Sequence, residues 1–154
     1  METIHVLVIT DNRQDVEEIK DLLRPNLHFH VESEEDHQQA LRALVSNRYD
    51  AYLIDHVVPN SALSGADIVR KAHAGGCHSP ILLLTTMSDD DMDVIVDDCG
   101  ASGHINKTLD FDSRTLQNII RFATCHNRQI LEVREQLRDL QIQVADLIRK
   151  FDRS

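Results

Sequence analysis

Apolar residues in this chain fall into short blocks that alternate between two periods. Ile4 to Ile9, Ala51 to Ile54 and Ile81 to Leu84 are apolar runs, broken only by His5. Runs this short, bounded by turn formers, predict strands. Their lack of in–out alternation predicts burial on both faces, as in a parallel sheet. Between these runs the apolar spacing lengthens to three and four. Val16, Ile19, Leu22 and Leu23 predict a helix capped by Asp15 and stopped by Pro25. Ala40, Leu41, Leu44 and Val45 predict a helix over 33–47, and Ile68, Val69 and Ala72 one over 65–74 that Gly75 and Gly76 end. Met92, Ile95, Val96 and Cys99 line a further helix, which Ser88-Asp89-Asp90-Asp91 opens in the manner of a capping box and Gly100 closes. Weaker strands are predicted from His28 to Val31 and from Ser102 to Asn106, the second leading into Lys107. From Asp112 or Ser113 the pattern is helical almost to the end. Strand and helix therefore alternate along the chain, which predicts an α/β fold with a doubly wound five-stranded parallel sheet.

The last helix carries a longer pattern. Leu116, Ile119, Ala123, His126, Ile130, Val133, Leu137, Leu140, Val144, Leu147 and Phe151 follow one another in unbroken steps of three and four. Such a heptad predicts a left-handed coiled coil. One domain offers nothing for the stripe to bury against beyond about Arg128, so Ile130, Val133, Leu137, Leu140, Val144 and Leu147 are expected to form a homodimer interface. The flanking Gln129, Gln136 and Gln143 are neutral and do not select an orientation, while His126 interrupts the stripe and helps set register.

Composition narrows the possible partners. The 154 residues suit one domain with an appendage, and 42% hydrophobic content suffices for a core. A formal net charge of −10 argues against nucleic acid and anionic membrane surfaces as partners. No apolar stretch is long enough to span a bilayer, and no signal peptide follows Met1. Cys77, Cys99 and Cys125 are widely spaced and odd in number, as free thiols of a reducing compartment would be. A cytoplasmic location is the expectation.

Four predicted strands end on polar groups: Asp11, Asp55, Thr85 and Lys107. A parallel sheet brings all such ends to one edge, where ligands of open α/β sheets bind. Two carboxylates on that edge repel unless a cation joins them, and an oxygen-rich site of this kind suits Mg2+. An ammonium and a hydroxyl complete a cradle for a phosphoryl group. The chemistry that follows is attack by an Asp55 oxygen on phosphorus.

The same residues resemble the receiver domain of two-component response regulators. The resemblance spans roughly residues 3 to 124 and rests on Val6-Leu7-Val8-Ile9-Thr10-Asp11, Asp55-x-x-Val58-Pro59, Leu83-Leu84-Thr85-Thr86 and Gly100-Ala101-Ser102-Gly103-His104-Ile105-Asn106-Lys107. It implies a flavodoxin-like sheet of order 2-1-3-4-5, with a receiver over 1–124 and a signalling helix over 125–154 that continues the last receiver helix. It implies Asp55 as phosphoacceptor, Mg2+ held by Asp11, Asp55 and the Val57 carbonyl, Lys107 on the phosphoryl oxygens, and Thr85 and His104 as switch residues. A histidine kinase or phosphotransfer protein is the implied donor. Such a domain accelerates only its own phosphorylation and dephosphorylation and turns over no external substrate. An output domain following Ser154 is also implied.

The chain departs from the family at several points. Thr10 replaces the first acid of the usual pair, so weaker Mg2+ binding is expected. Thr108 stands where proline usually follows the lysine, which predicts a trans bond there. His104 replaces Tyr or Phe, and the loop from Pro59 to Gly65 is longer than usual. Val57 and Met87 are apolar where relatives flank the path of hydrolytic water, which would lengthen the life of the aspartyl phosphate. These departures define a competing reading, a pseudo-receiver serving as a constitutive dimerisation and docking module. A flavin-binding flavodoxin is disfavoured, because Thr10 to Gln14 lacks the small hydroxyl residues and glycine that cradle a phosphate.

Overall fold

The structure is a computed structural model that describes residues 3–26, 28–57 and 63–153. Ten elements follow in order: β1 (Ile4–Ile9), α1 (Arg13–Leu23), β2 (Phe29–Glu34), α2 (His37–Ser46), β3 (Ala51–Asp55), α3 (Gly65–Ala74), β4 (Ile81–Thr85), α4 (Asp89–Cys99), β5 (Gly103–Asn106) and α5 (Ser113–Asp152). The five strands form one parallel sheet in the order β2-β1-β3-β4-β5, the expected flavodoxin-like arrangement. The chain divides into two compact units, residues 1–124 and 125–154. Among the described residues no helix is long and apolar enough to cross a membrane.

Every residue of β3 and β4 is buried, as the unalternating runs require. Successive side chains of a strand point to opposite faces, so each run feeds two cores. Leu7, Ile9, Tyr52, Ile54 and Leu83 pack with Leu44, Ile68, Val69 and Met92 on one face. Val6, Val8, Leu53, Leu82, Leu84 and Ile105 pack with Ile19, Leu23, Leu116 and Ile120 on the other.

Three expectations need correction. Asp15 does not cap α1; Asn12 does, its side chain accepting from the Asp15 backbone N–H. Residues 33–36 do not open α2. Ser33 and Glu34 extend β2 beside Val8 and Ile9, and Asp36 caps the helix through Gln38 and Gln39. The row that buries the start of α5 is Leu116, Ile120 and Thr124, with Ile119 and Ala123 only partly covered. The i, i+4 row, not the heptad, faces the sheet in this unit. The Lys107–Thr108 bond is trans, as expected. The loop from Pro59 lies outside the described residues as far as residue 62.

Two constraints govern the neighbourhood of β3. A Cβ at Gly65 would stand 2.7 Å from the Asp55 carbonyl oxygen and 2.8 Å from His56 Cα, so only glycine lets α3 start this close to the strand end. Gly65→Ala is expected to cost about 1–3 kcal/mol, as overpacking against backbone does, and urea denaturation would measure it. Tyr52 is fully buried, and its hydroxyl donates to the Ala43 carbonyl at 2.7 Å. Burial chiefly pushes its pKa from the usual 10.0 up to about 12. The raised value means that the stabilisation linked to the neutral phenol is intact below pH 10 and is lost as pH rises through about 12. Tyr52→Phe is expected to be about 1 kcal/mol less stable at neutral pH through the lost hydrogen bond. It should also lack that part of the alkaline decline, so the two stability curves converge above pH 10.

Candidate functional site

Parallel pairing aligns the carboxyl ends of β1, β3, β4 and β5. Ile9 pairs with Ile54, Asp55 with Leu84, and Thr85 with Asn106. The first polar residues past each apolar run therefore share one edge.

Asp55 ends β3 and is buried, as a strand covered by helices on both faces makes it. Two groups donate to its Oδ2: Thr10 Oγ1 at 3.1 Å and Lys107 Nζ at 3.0 Å. Thr10 is itself buried, and its hydroxyl also accepts from the Asn12 backbone N–H. Lys107 follows β5, where its backbone N–H donates to the Thr85 carbonyl at 2.8 Å. The next turn is fixed by Asn106, whose side-chain oxygen accepts from Thr108 and Leu109, while Asp110 accepts from the Asn106 backbone. Lysine thus leaves a braced turn and not a loose loop.

Lys107 has a second carboxylate partner. Asp15 Oδ2 lies 2.6 Å from Nζ, closer than Asp55. The contact is a charge pair by distance but lies off the hydrogen-bonding direction, so this buried oxygen has no directed hydrogen bond. Burial alone would pull the Lys107 pKa down. The adjacent carboxylates of Asp15 and Asp55 outweigh it, and the net shift is upward. The ammonium is therefore fixed as a cation at any physiological pH.

The other expected groups are placed differently. Thr85 is buried at the end of β4, and its hydroxyl accepts from the Met87 backbone N–H at 2.9 Å. Asp11 comes just after β1 and is exposed, and Val57 is exposed beyond β3. Among the described residues no three His, Cys, Asp or Glu side chains cluster closely enough to hold a metal by themselves. Asp55 ends β3 and Asp11 follows the neighbouring β1, so these two carboxylates could serve a hard, largely hydrated cation at this edge. His104 is mostly buried on β5, with Nε2 3.0 Å from Asp89 and Nδ1 3.9 Å from Asp93, both on α4. The acidic run of α4 is accordingly not only a solvated face, since Asp98 also pairs with Arg70 of α3.

Asp15 reads in the sequence as the cap of α1, which hides its place beside Lys107. A signal was present. Asp15 lies in the i, i+4 row with Ile19 and Leu23, and a carboxylate in a buried apolar row demands a partner. Thr10 is more than the loss of an acid, because its hydroxyl donates to Asp55 directly.

The family profile described as the response regulator receiver domain matches residues 6–121. Response regulator MprA of Mycolicibacterium vanbaalenii is 31% identical over 107 residues, covering 68% of this chain and 44% of that protein. Response regulator MprA of Mycobacterium sp. strain KMS is 26% identical over 181 residues, covering 98% of this chain and 76% of that protein. Among solved structures, a response regulator receiver domain protein of Clostridium thermocellum superposes with a TM-score of 0.69 at 25% identity, covering 82% of this chain and 98% of that one. The receiver domain of sensor histidine kinase PA1611 from Pseudomonas aeruginosa, solved with a magnesium ion coordinated in its active site cleft, gives a TM-score of 0.66 at 26% identity, covering 79% and 98%. The order of the sheet, the acid–lysine pair at its edge and the matched profile over residues 6–121 agree, and the chain belongs to the response regulator receiver domain family.

Proposed function

We propose that this chain is a phosphoaccepting receiver that forms an Mg2+-dependent aspartyl phosphate at Asp55 and signals through a dimeric C-terminal helix. The observation that carries the reading is the 3.0 Å approach of Lys107 Nζ to Asp55 Oδ2 across 52 positions of sequence, at the ligand-binding edge of the sheet. An Asp55 oxygen attacks the phosphorus of a phosphohistidine presented by a histidine kinase or phosphotransfer protein. The P–O bond forms as the P–N bond breaks, and the electron pair returns to the donor imidazole. Lys107 follows the negative charge onto the phosphoryl oxygens. The Thr85 hydroxyl accepts from Met87 and still has its own proton to donate to the phosphoryl group. Asp11, Asp55 and the Val57 carbonyl would hold Mg2+, which would supply neutralisation of the negative charge on the phosphoryl oxygens. In this reading His104 is the switch residue, tied to Asp89 before the change. The chain acts on itself alone and works in the cytoplasm.

The dimer is supported by α5. Ile130, Val133, Leu137, Leu140, Val144 and Leu147 are all exposed at heptad spacing. Burial against a twin would stabilise by ~1.5–3 kcal/mol per fully covered side chain, enough in sum to offset the cost of association. β-Branched residues at two of the three positions in register with Ile130 and leucine at two of the three in register with Val133 favour two strands.

A second reading is favoured by one observation. Thr10 and Lys107 already satisfy Asp55 Oδ2 with protein groups and no metal ion, as a constitutive docking module would require. Treatment with acetyl phosphate and Mg2+ separates the two. The expected result is one added phosphoryl mass on the wild type and none on Asp55→Asn by intact mass spectrometry; an unmodified wild type would favour the docking module. Light scattering is expected to give a dimer for the wild type and a monomer for the double variant Leu137→Lys, Leu140→Lys, with the receiver unit still folded by circular dichroism. A monomeric wild type at tens of micromolar would remove the dimer from the reading.

A further inference from the structure

We infer that Asp15 is a positioning residue of the phosphorylation site: its carboxylate holds the Lys107 ammonium in the unphosphorylated state and competes for it with the incoming phosphoryl group. The inference rests on Asp55 being the phosphoacceptor. Its own evidence is separate and lies in the first turn of α1.

Acids in the first turn of a helix ordinarily face solvent and interact with the helix dipole. The Asp15 side chain is only 13% exposed. Its backbone N–H is taken by Asn12, and its Oδ2 has no directed hydrogen bond. What offsets the burial of this charge is the Lys107 ammonium at 2.6 Å. Lys107 is therefore shared between two acids, and the nearer one is not the acceptor.

Phosphorylation changes what each acid requires. Once Asp55 carries a phosphoryl group, Lys107 must move toward the new oxygens. Asp15 is then left as a buried carboxylate that has lost its cation and faces a second anion. Both effects oppose the phosphorylated state. Substitution by the isosteric asparagine removes the charge and keeps the shape, so the competition ends without a cavity. It should also weaken Mg2+ binding, because one negative charge leaves the neighbourhood and Lys107 is left with Asp55 alone. Tighter anion binding together with weaker cation binding is a pair of changes that general loosening of α1 would not produce.

The experiment compares wild type, Asp15→Asn and Asp15→Glu by two readouts. The first needs no ligand: proton exchange at the Lys107 15Nζ ammonium, followed by NMR, is expected to accelerate in Asp15→Asn and to stay slow in Asp15→Glu. Unchanged exchange in Asp15→Asn overturns the tether. The second is beryllofluoride titration at saturating Mg2+. Asp15→Asn is expected to bind roughly tenfold more tightly than wild type, with Asp15→Glu close to wild type, while Mg2+ affinity in Asp15→Asn falls a few-fold. Wild type that binds beryllofluoride with no gain in Asp15→Asn overturns this inference alone. If none of the three proteins binds beryllofluoride, the Asp55 assignment falls and the competition falls with it.

Discussion

Lys107 puts a single ammonium between two buried carboxylates, and the surrounding strand ends are arranged to keep it there. Two acids this close to one point repel by several kcal/mol at the intermediate dielectric of a protein edge. The site is tolerable in the absence of any ligand because the cation sits between them. The backbone is built to deliver it. β5 stops at Asn106, and the Lys107 backbone is tied to the end of β4 through the Thr85 carbonyl. The Asn106 side chain then folds the chain back over Thr108 and Leu109. A proline after the lysine would have shaped this turn through its ring. Here hydrogen bonds from one asparagine do so.

Most of the sheet was legible because its strands are apolar on both faces and end abruptly. Ala51 to Ile54 followed by Asp55, and Ile81 to Leu84 followed by Thr85, locate the functional edge before any contact is known. β2 was less legible. Its inner residues Phe29 and Val31 alternate with exposed His30 and Glu32, because it is an edge strand with one neighbour, and its polar end reads as the start of a helix. Asp11 is marked in the sequence by its place past the first apolar run, whereas a role for Val57 is expected only through family likeness; both residues are exposed. Asp15 escaped for the opposite reason. An acid at a helix start fits a capping role well enough to mask the burial of its row.

α4 shows how one acidic segment serves two physical ends. Its first turn places three acids near the helix N-terminus, where the backbone N–H groups favour negative charge. Ser88 accepts from the Asp91 N–H and donates to the Asp91 carboxylate, so the helix start is held by side chains and not by packing alone. Farther along, the same charges become tethers. Asp89 and Asp93 bracket the His104 ring on β5, and Asp98 reaches Arg70 on α3. An aromatic ring at position 104 would pack there without such partners. Imidazole instead couples the end strand to α4 by polar contacts, which ties any movement of that ring to the acids of one helix.

A hydroxyl at position 10 and a buried acid at position 15 decide where charge acts at this edge. A carboxylate at the end of β1 would stand beside Asp55 and add to its repulsion. The Thr10 hydroxyl donates to Asp55 instead, so the acceptor gains a partner where relatives place a like charge. The negative charge at Asp15 pairs with the Lys107 ammonium at 2.6 Å. Both contacts stabilise one arrangement of the same four side chains, Thr10, Asp15, Asp55 and Lys107. Under the proposed function, a phosphoryl donor would have to displace those contacts before its own could form.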